Sequence, residues 1–184
     1  MENKLMMKLV IATEAILFVS LMIAYVYFAL NSNFGSQSKS LLNIKAESIF
    51  TIALFLSSFT LYLAERNYKK GNYKNLKIWM IVTVALGFTF LSGQAIEYKN
   101  LLAANFTISN DMFGTNYFTL TGFHAFHVVV GLIMLCILIY LIFKGNFRDH
   151  KSTVFGTIGL YWHFVDVVWV FVFTLIYVSP YFLK

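Results

Sequence analysis

Five long runs of apolar residues constrain this chain of 184 residues more than any other feature. A helix needs about 20 mostly apolar residues to cross the hydrocarbon layer of a bilayer. Five segments meet this requirement: Leu9–Leu30, Ser48–Ala64, Ile78–Ile96, Phe118–Phe143 and Val154–Val178. The alternation of a β-barrel strand is missing, since 165–173 is apolar on every side apart from Asp166. The sequence therefore predicts an all-α integral membrane protein, a bundle of five transmembrane helices.

The composition supports a membrane protein and excludes the soluble classes. Hydrophobic residues make up 59% of the chain and charged residues 12%, against roughly 25% charged residues in a soluble domain. The single cysteine, Cys136, can neither form an intramolecular disulfide nor hold zinc alone. The net charge of +6 is better explained by basic cytoplasmic loops than by nucleic-acid binding. We expect one transmembrane domain over residues 1–184, since no internal repeat is visible.

The distribution of lysine and arginine predicts the orientation of the bundle, because cytoplasmic loops are enriched in both. With five spans, the N-terminal segment, the second loop and the fourth loop share one side. They hold ten of the fourteen basic residues: Lys4, Lys8, Arg66, Lys69, Lys70, Lys74, Lys77, Lys144, Arg148 and Lys151. We therefore expect a cytoplasmic N-terminus and a periplasmic C-terminus. Asn31–Lys45 and Asn100–Asn116 are then outer loops, the first of them flexible.

Ionisable residues inside the spans are few, and each needs protein, water or an opposite charge nearby. They are Glu14, Glu97, His124, His127, His163 and Asp166. His124 and His127 share one helix face, and His163 and Asp166 repeat their spacing on the fifth helix. His127, His163 and Asp166 fall near the midplane, where antiparallel neighbours could bring them together. The pattern leaves open a structural polar pairing, which we favour, a proton or lipid contact, and a metal or haem site.

Glu14 has no ionisable partner within its own span. At 1.5 Å per residue it lies about 7–8 Å from the cytoplasmic edge of the bilayer. It either handles protons or binds a lipid or another subunit, or it is a protonated, hydrogen-bonded group that only packs. Trp162 and Trp169 are seven residues apart on the stripe of Asp166, and we expect them to pack on another helix. The sequence contains no glycine-rich phosphate loop and no nucleophile beside a base.

Several segments resemble the cytochrome c oxidase subunit III family of the haem–copper terminal oxidases. Residues 121–131 read T-G-F-H-A-F-H-V-V-V-G, and residues 161–171 read Y-W-H-F-V-D-V-V-W-V-F. The sequences Q-A-I-E-Y at 94–98 and F-T-I-S at 106–109 are similar to the family's outer-loop pattern. T-E-A-I-L-F at 13–18 resembles the segment that bears the family's intramembrane glutamate. The resemblance extends over essentially the whole chain.

The resemblance implies an accessory subunit of an aerobic oxidase in a bacterial inner membrane. Such a subunit carries no cofactor of its own, because haem and copper belong to the partner subunits. It packs on subunit I, beside subunit II and other respiratory subunits, holds phospholipid and supports proton uptake. The complex as a whole is then the enzyme: it takes electrons from cytochrome c or quinol, reduces oxygen and translocates protons. We expect no nucleic acid among its partners, no metal site and no catalytic residue in this chain.

The resemblance also assigns roles to individual residues. Glu14 matches the family's carbodiimide-reactive glutamate, which implies a role in proton uptake or lipid contact. The positions that match signatures shaping the bundle and its lipid cleft are Glu97, His124, His127, Trp162, His163, Asp166 and Trp169. Longer members have seven helices, two plus five, with lipid between them. This chain resembles the short five-helix bacterial form, in which the cleft is open, closed by another subunit, or absent.

Three alternatives to a cytochrome c oxidase subunit remain. The chain resembles subunit III of quinol oxidases and the homologues found beside some nitric oxide reductases equally well. A membrane cytochrome of the b type would use His127 and His163 as axial ligands of a haem. A transporter is disfavoured, because it would need helices broken by glycine or proline, and the only proline is Pro180.

Overall fold

Five long helices make up the computed structural model, which describes residues 2–31, 42–108, 112–145 and 153–181. The helices are α1 (Glu2–Asn31), α2 (Ile44–Lys69), α3 (Tyr73–Ala103), α4 (Met112–Phe143) and α5 (Thr153–Phe173). A π-helical turn, Thr174–Val178, and a 3₁₀ turn, Ser179–Tyr181, continue α5. All five are long and apolar enough to cross a membrane, and the described residues contain no strand. The predicted all-α class with five membrane-spanning helices is confirmed.

Helices α1 to α4 are longer than the apolar segments that predicted them, because the helical backbone extends beyond the apolar run, and α2 and α3 begin at a capping residue. The α-helical part of α5, Thr153–Phe173, ends before the predicted Val178, and the π-helical turn covers the remainder. The side chain of Asn43 accepts a hydrogen bond from the backbone N–H of Ala46 at 3.2 Å and so caps α2. Asn72 accepts from the N–H of Asn75 at 3.2 Å and caps α3 in the same way. Between α2 and α3, Gly71 takes a φ of 72°, which favours glycine and allows a very short connection.

Of the two predicted outer loops, the structure describes most of the second and little of the first. Residues 32–41, which make up most of the predicted Asn31–Lys45 loop, lie outside the described residues. The Asn100–Asn116 loop is shorter than expected, because α3 continues to Ala103 and α4 already begins at Met112. Polar residues such as asparagine and lysine read as loop in a hydropathy pattern, but at the ends of membrane helices they extend the helix into the headgroup region.

Helices α4 and α5 pack on each other in the middle of the bundle. α1 lies against both of them, and α2 and α3 form a closely packed pair that contacts α5 and α4 respectively. The neighbours of α1 bury little of it: Phe18 and Tyr25 are enclosed, whereas Leu9, Ile16 and Ile23 are each more than 60% exposed. α1 therefore presents an apolar face that only lipid or another subunit can cover.

Trp162 of α5 is fully buried, like Trp169, and two glycines make room for its ring. A Cβ atom on Gly131 of α4 would lie 2.8 Å from the Trp162 ring. A Cβ atom on Gly87 of α3 would lie 2.8 Å from Leu132 and 3.0 Å from the same ring. Small residues at such contacts let membrane helices approach closely, which matters because no hydrophobic effect drives the helices together in lipid.

Gly131→Ala tests this contact, with Gly159→Ala as the matched control. Both glycines lie inside helices, but a Cβ on Gly159 meets no atom within 4 Å. We expect Gly131→Ala to lower the free energy of unfolding by about 1–3 kcal/mol, because the Trp162 ring must shift. Gly159→Ala should leave it unchanged or slightly raised. Unfolding of each variant in mixed micelles, followed by tryptophan fluorescence, measures the difference; equal stability of the two variants would contradict the role of Gly131.

Candidate functional site

Among the described residues, three groups of polar side chains that include a carboxyl group link helices within the spans. The first joins α1 to α4 through Glu14 and His127. The second joins α2 to α5 through Ser58, His163 and Asp166. The third lies nearer the end of the bundle predicted to be periplasmic and joins α2, α3, α4 and the π-helical turn around Glu97. Each group is a separate candidate site.

Glu14 pairs with His127. The carboxyl oxygen Oε2 of Glu14 lies 3.0 Å from Nε2 of His127, and Nδ1 of His127 lies 2.7 Å from the backbone oxygen of Phe123. A carbonyl oxygen can only accept, so Nδ1 carries a hydrogen and donates it. One proton then lies between Nε2 and Oε2, either on the imidazole or on the carboxyl group. The partner that Glu14 lacks in its own helix is supplied by α4.

The Glu14–His127 pair borders an open cleft of about 260 Å³ between α1, α4 and α5. The side chain of Glu14 is 31% exposed and that of His127 is 8% exposed, so the pair is reached from the surface of the bundle. The rest of the lining is mostly apolar: Met7, Val10, Phe126, Val130, Met134 and Tyr161. Such a cleft can take an acyl chain or an apolar side chain while the proton of the pair stays accessible.

Ser58 of α2 joins the two polar residues of α5. Its hydroxyl oxygen lies 2.8 Å from Nδ1 of His163, and it donates a hydrogen bond to Oδ2 of Asp166. These are the residue types of a serine hydrolase triad, but the carboxylate bonds the serine rather than the imidazole, so it cannot orient the histidine as a base. The group therefore links two helices and does not generate a nucleophile.

The midplane residues do not share one contact network. His127 bonds Glu14 of α1, whereas His163 and Asp166 bond Ser58 of α2. Among the residues that the structure describes, no three His, Cys, Asp or Glu side chains are arranged to hold a metal ion. Both ring nitrogens of His127 are already engaged, which leaves no free lone pair for the axial position of a haem.

His124 packs in the core as an aromatic ring and makes no polar contact with the described residues. Its ring stacks on Trp169 with 4.6 Å between ring centroids, and the rings of Phe90 and Phe18 meet it edge-on. It is fully buried, and neither ring nitrogen has a hydrogen-bond partner among the described residues. Trp169 in turn donates from its indole nitrogen to Thr51 of α2 at 3.0 Å. The signature residues of α4 and α5 thus form the centre of the bundle.

Glu97 is the acceptor at the centre of the third group. Its Oε2 atom accepts hydrogen bonds from the hydroxyl groups of Tyr117 at 2.9 Å and Tyr177 at 2.5 Å. The two tyrosine oxygens are themselves 3.2 Å apart. Glu97 of α3 therefore holds together α4 and the π-helical turn that follows α5.

Glu47 belongs to the same group, although the sequence analysis did not single it out. Its side chain is 2% exposed, accepts a hydrogen bond from the amide of Gln94 and contacts the carboxyl group of Glu97. It was missed because the predicted second span began one residue later, at Ser48. The available signal was its four-residue spacing to Thr51, which places both on the buried face of α2.

Comparisons with known proteins agree on one family. The family model described as cytochrome c oxidase subunit III matches residues 2–181. Cytochrome c oxidase subunit 3 of Alkalihalophilus pseudofirmus is 37% identical over 144 residues, which cover 78% of this chain and 70% of the relative. The subunit of the same name from Corynebacterium diphtheriae is 35% identical over 136 residues, 74% of this chain and 66% of the relative. A probable quinol oxidase subunit 3 of Staphylococcus saprophyticus is 33% identical over 144 residues, 78% of this chain and 71% of the relative.

Tyr177→Phe tests the Glu97 group, with Tyr140→Phe as the control. Tyr177 is buried and donates a hydrogen bond to Glu97, whereas Tyr140 is 59% exposed. The phenylalanine variant of Tyr140 keeps the ring that contacts the ammonium group of Lys144. We expect Tyr177→Phe to cost about 1–3 kcal/mol of unfolding free energy, because a buried carboxyl group loses a donor. Tyr140→Phe should change it by less than about 0.5 kcal/mol. Unfolding in mixed micelles measures both, and an equal loss in the two variants would refute the assignment.

Proposed function

As a member of the cytochrome c oxidase subunit III family, the chain is a subunit of a haem–copper oxidase complex, and we propose that it is the accessory, non-redox subunit of a bacterial cytochrome c oxidase. In this proposal it packs on subunit I, beside subunit II, in the inner membrane. Haem and copper lie in the partner subunits, which carry out oxygen reduction. The N-terminus is cytoplasmic and the C-terminus periplasmic, as the ten basic residues of the N-terminal segment, second loop and fourth loop favour.

The observation that carries the proposal is the Glu14–His127 pair within a chain of this family. The pair holds one proton between two side chains, is reached from the surface, and lies in the half of α1 nearer its lysine-bearing N-terminus. A group with these properties can take up and release a proton without any redox centre. This supports a role in proton uptake by the neighbouring catalytic subunit.

The cleft beside Glu14 and the exposed face of α1 support the binding of phospholipid or of subunit I. Apolar residues of α1 such as Leu9 and Ile16 have no cover within the bundle. In the proposed complex, lipid chains and subunit I provide it. His124, Trp162 and Trp169 then serve the bundle itself, and the Glu97 and His163 groups hold its helices together.

The quinol oxidase reading is the second candidate, because a probable quinol oxidase subunit 3 is nearly as similar as the cytochrome c oxidase subunits. Under both hypotheses this chain packs on subunit I, and Glu14 and His127 have the same role. They differ only in the donor that reduces the partner subunits, so the subunits found beside the chain distinguish them. A cytochrome of the b type is disfavoured by the hydrogen bonds that occupy His127.

Purification of the tagged chain from its native membrane in mild detergent tests the proposal. Mass spectrometry should find oxidase subunits I and II with it, and the optical spectrum should show haem that stays with subunit I when this chain is stripped away. A chain that emerged alone and coloured would establish the cytochrome reading instead. A chain that emerged alone and colourless would refute membership in an assembled oxidase under those conditions.

Glu14→Ala separates a role in proton uptake from a role in haem binding, with Glu65→Ala as the control. Each glutamate side chain is 31% exposed, but Glu65 forms a salt bridge with Lys69, whereas Glu14 pairs with His127. We expect unchanged haem spectra in both variants, and oxygen uptake under sustained turnover that falls by a factor of about two to ten in Glu14→Ala alone. An altered haem spectrum in Glu14→Ala would count against the accessory role.

A further inference from the structure

A cavity of about 260 Å³ lies between α2 and α3, at the end of the bundle predicted to be periplasmic. Glu47 and Glu97 line it together with Asn43 and Asn100, and because both asparagines are exposed, the cavity is reached from the surface. The rest of the lining is apolar and includes the ring of Phe50. The cavity therefore joins two carboxyl groups to an apolar wall.

The cavity lies where the hydrocarbon layer gives way to the lipid headgroups. Helix α3 has 31 residues and extends about 46 Å, whereas the hydrocarbon layer is about 30 Å thick. Glu97 lies six residues before the end of α3, or about 9 Å along its axis. Glu47 lies three residues after the start of α2, or about 4–5 Å. Both carboxyl groups are therefore within reach of headgroups and of small solutes from the aqueous side.

The carboxyl groups of Glu47 and Glu97 contact each other. Two ionised carboxylates in contact would repel, so one hydrogen lies between them. Oε2 of Glu97 accepts hydrogen bonds from Tyr117 and Tyr177, an arrangement that suits an ionised carboxylate. The hydrogen of the contact then belongs to Glu47, and the pair as a whole carries one negative charge.

Within the described part of the chain, no cationic side chain neutralises that charge. The lysine, arginine and histidine residues there form no ion pair with Glu47 or Glu97. Gln94 adds one more acceptor, because its amide nitrogen donates to Glu47 while its buried Oε1 has no donor among the described residues. A negative charge and an unfilled acceptor so close to the hydrocarbon layer are costly without a partner. The site therefore lacks a cation that can donate hydrogen bonds.

A primary ammonium group matches this site better than a metal ion does. It carries one positive charge, equal and opposite to that of the pair, and three N–H donors for the oxygens of Glu47, Glu97 and Gln94. The described residues do not bring three His, Cys, Asp or Glu side chains together for a metal ion. A single ion would also leave most of the 260 Å³ unfilled, whereas the wall around Phe50 can contact the carbon atoms attached to an ammonium group.

We propose that the cavity between Glu47 and Glu97 binds a primary ammonium group, supplied by the ethanolamine headgroup of a phospholipid or by a small soluble amine. Glu97 neutralises the ammonium charge, and the oxygens of Glu47 and Gln94 accept its other hydrogens. Tyr117 and Tyr177 are positioning residues, because their hydrogen bonds hold Glu97 in place. The site requires no partner subunit, so it stands or falls independently of the proposed function.

Native mass spectrometry of the full chain, released from micelles with one phospholipid added at a time, tests the ligand. The lipids share their acyl chains and carry ethanolamine, N-methylethanolamine, N,N-dimethylethanolamine or choline. We expect one ethanolamine lipid to bind about tenfold more tightly than the choline lipid, with the other two in between, because each methyl group replaces an N–H donor. Equal affinity for all four lipids would overturn the proposal, and the comparison requires no change in the protein.

Soluble ethanolamine and metal ions, added to the chain with its bound lipid, distinguish the sources of the cation. Displacement of the lipid by soluble ethanolamine at a similar concentration would assign the site to a free amine, and retention of the lipid would assign it to the headgroup. Both results support recognition of an ammonium group. Displacement by Na⁺ or Ca²⁺ but not by ethanolamine would establish a metal site and overturn the proposal.

Glu97→Gln tests the residue that bears the charge, with Glu65→Gln as the matched control. Glu65 lies at the other end of α2, where it forms a salt bridge with Lys69. We expect the ethanolamine and choline lipids to bind Glu97→Gln with affinities within about twofold of each other, and Glu65→Gln to keep the preference of the unchanged chain. Unfolding in micelles shows whether each variant is folded. A folded Glu97→Gln chain that kept the full preference would refute the site.

Discussion

The absence of water from the interior of a bilayer is the constraint on which the rest of this structure depends. Polar atoms there must find partners within protein, since lipid offers none. The chain meets much of this requirement with hydrogen bonds between helices: Trp162 to Ser57, Trp169 to Thr51, and Tyr177 to Glu97. Among the described residues, the buried ring nitrogens of His124, Oε1 of Gln94 and Oδ1 of Asp166 have no such partner. Each of the three bonds joins residues far apart in the sequence, so the same contacts that satisfy the polar atoms also decide which helices are neighbours.

Close packing at the centre works together with these bonds. The Trp162 ring fits against Gly131 and Gly87, which lets α3, α4 and α5 approach each other and aligns the indole nitrogen with Ser57. His124 stacks on Trp169, two turns further along α5, so an ionisable residue type serves as an aromatic packing surface. Trp162, His124 and Trp169, which belong to the two signature segments, thus form the core of the bundle.

Two polar residues, Glu14 and His163, differ from the buried core because their side chains are partly exposed. Glu14 shares a proton with His127 beside an open cleft, and the half-buried ring of His163 bonds Ser58 through Nδ1. They lie on different helix pairs, α1–α4 and α2–α5.

The sequence by itself determined the class of the protein, its five spans, most of its intramembrane Asp, Glu and His residues and, through its motifs, its family. These follow from properties that a single helix carries: hydropathy over about 20 residues and spacing around a turn. Tertiary structure alone decided that His127 pairs with Glu14 and that His163 pairs with Ser58, and it added Glu47 to the Glu97 group. Spacing tells which face of a helix a residue occupies, but not which helix lies opposite, because that depends on how all five pack together.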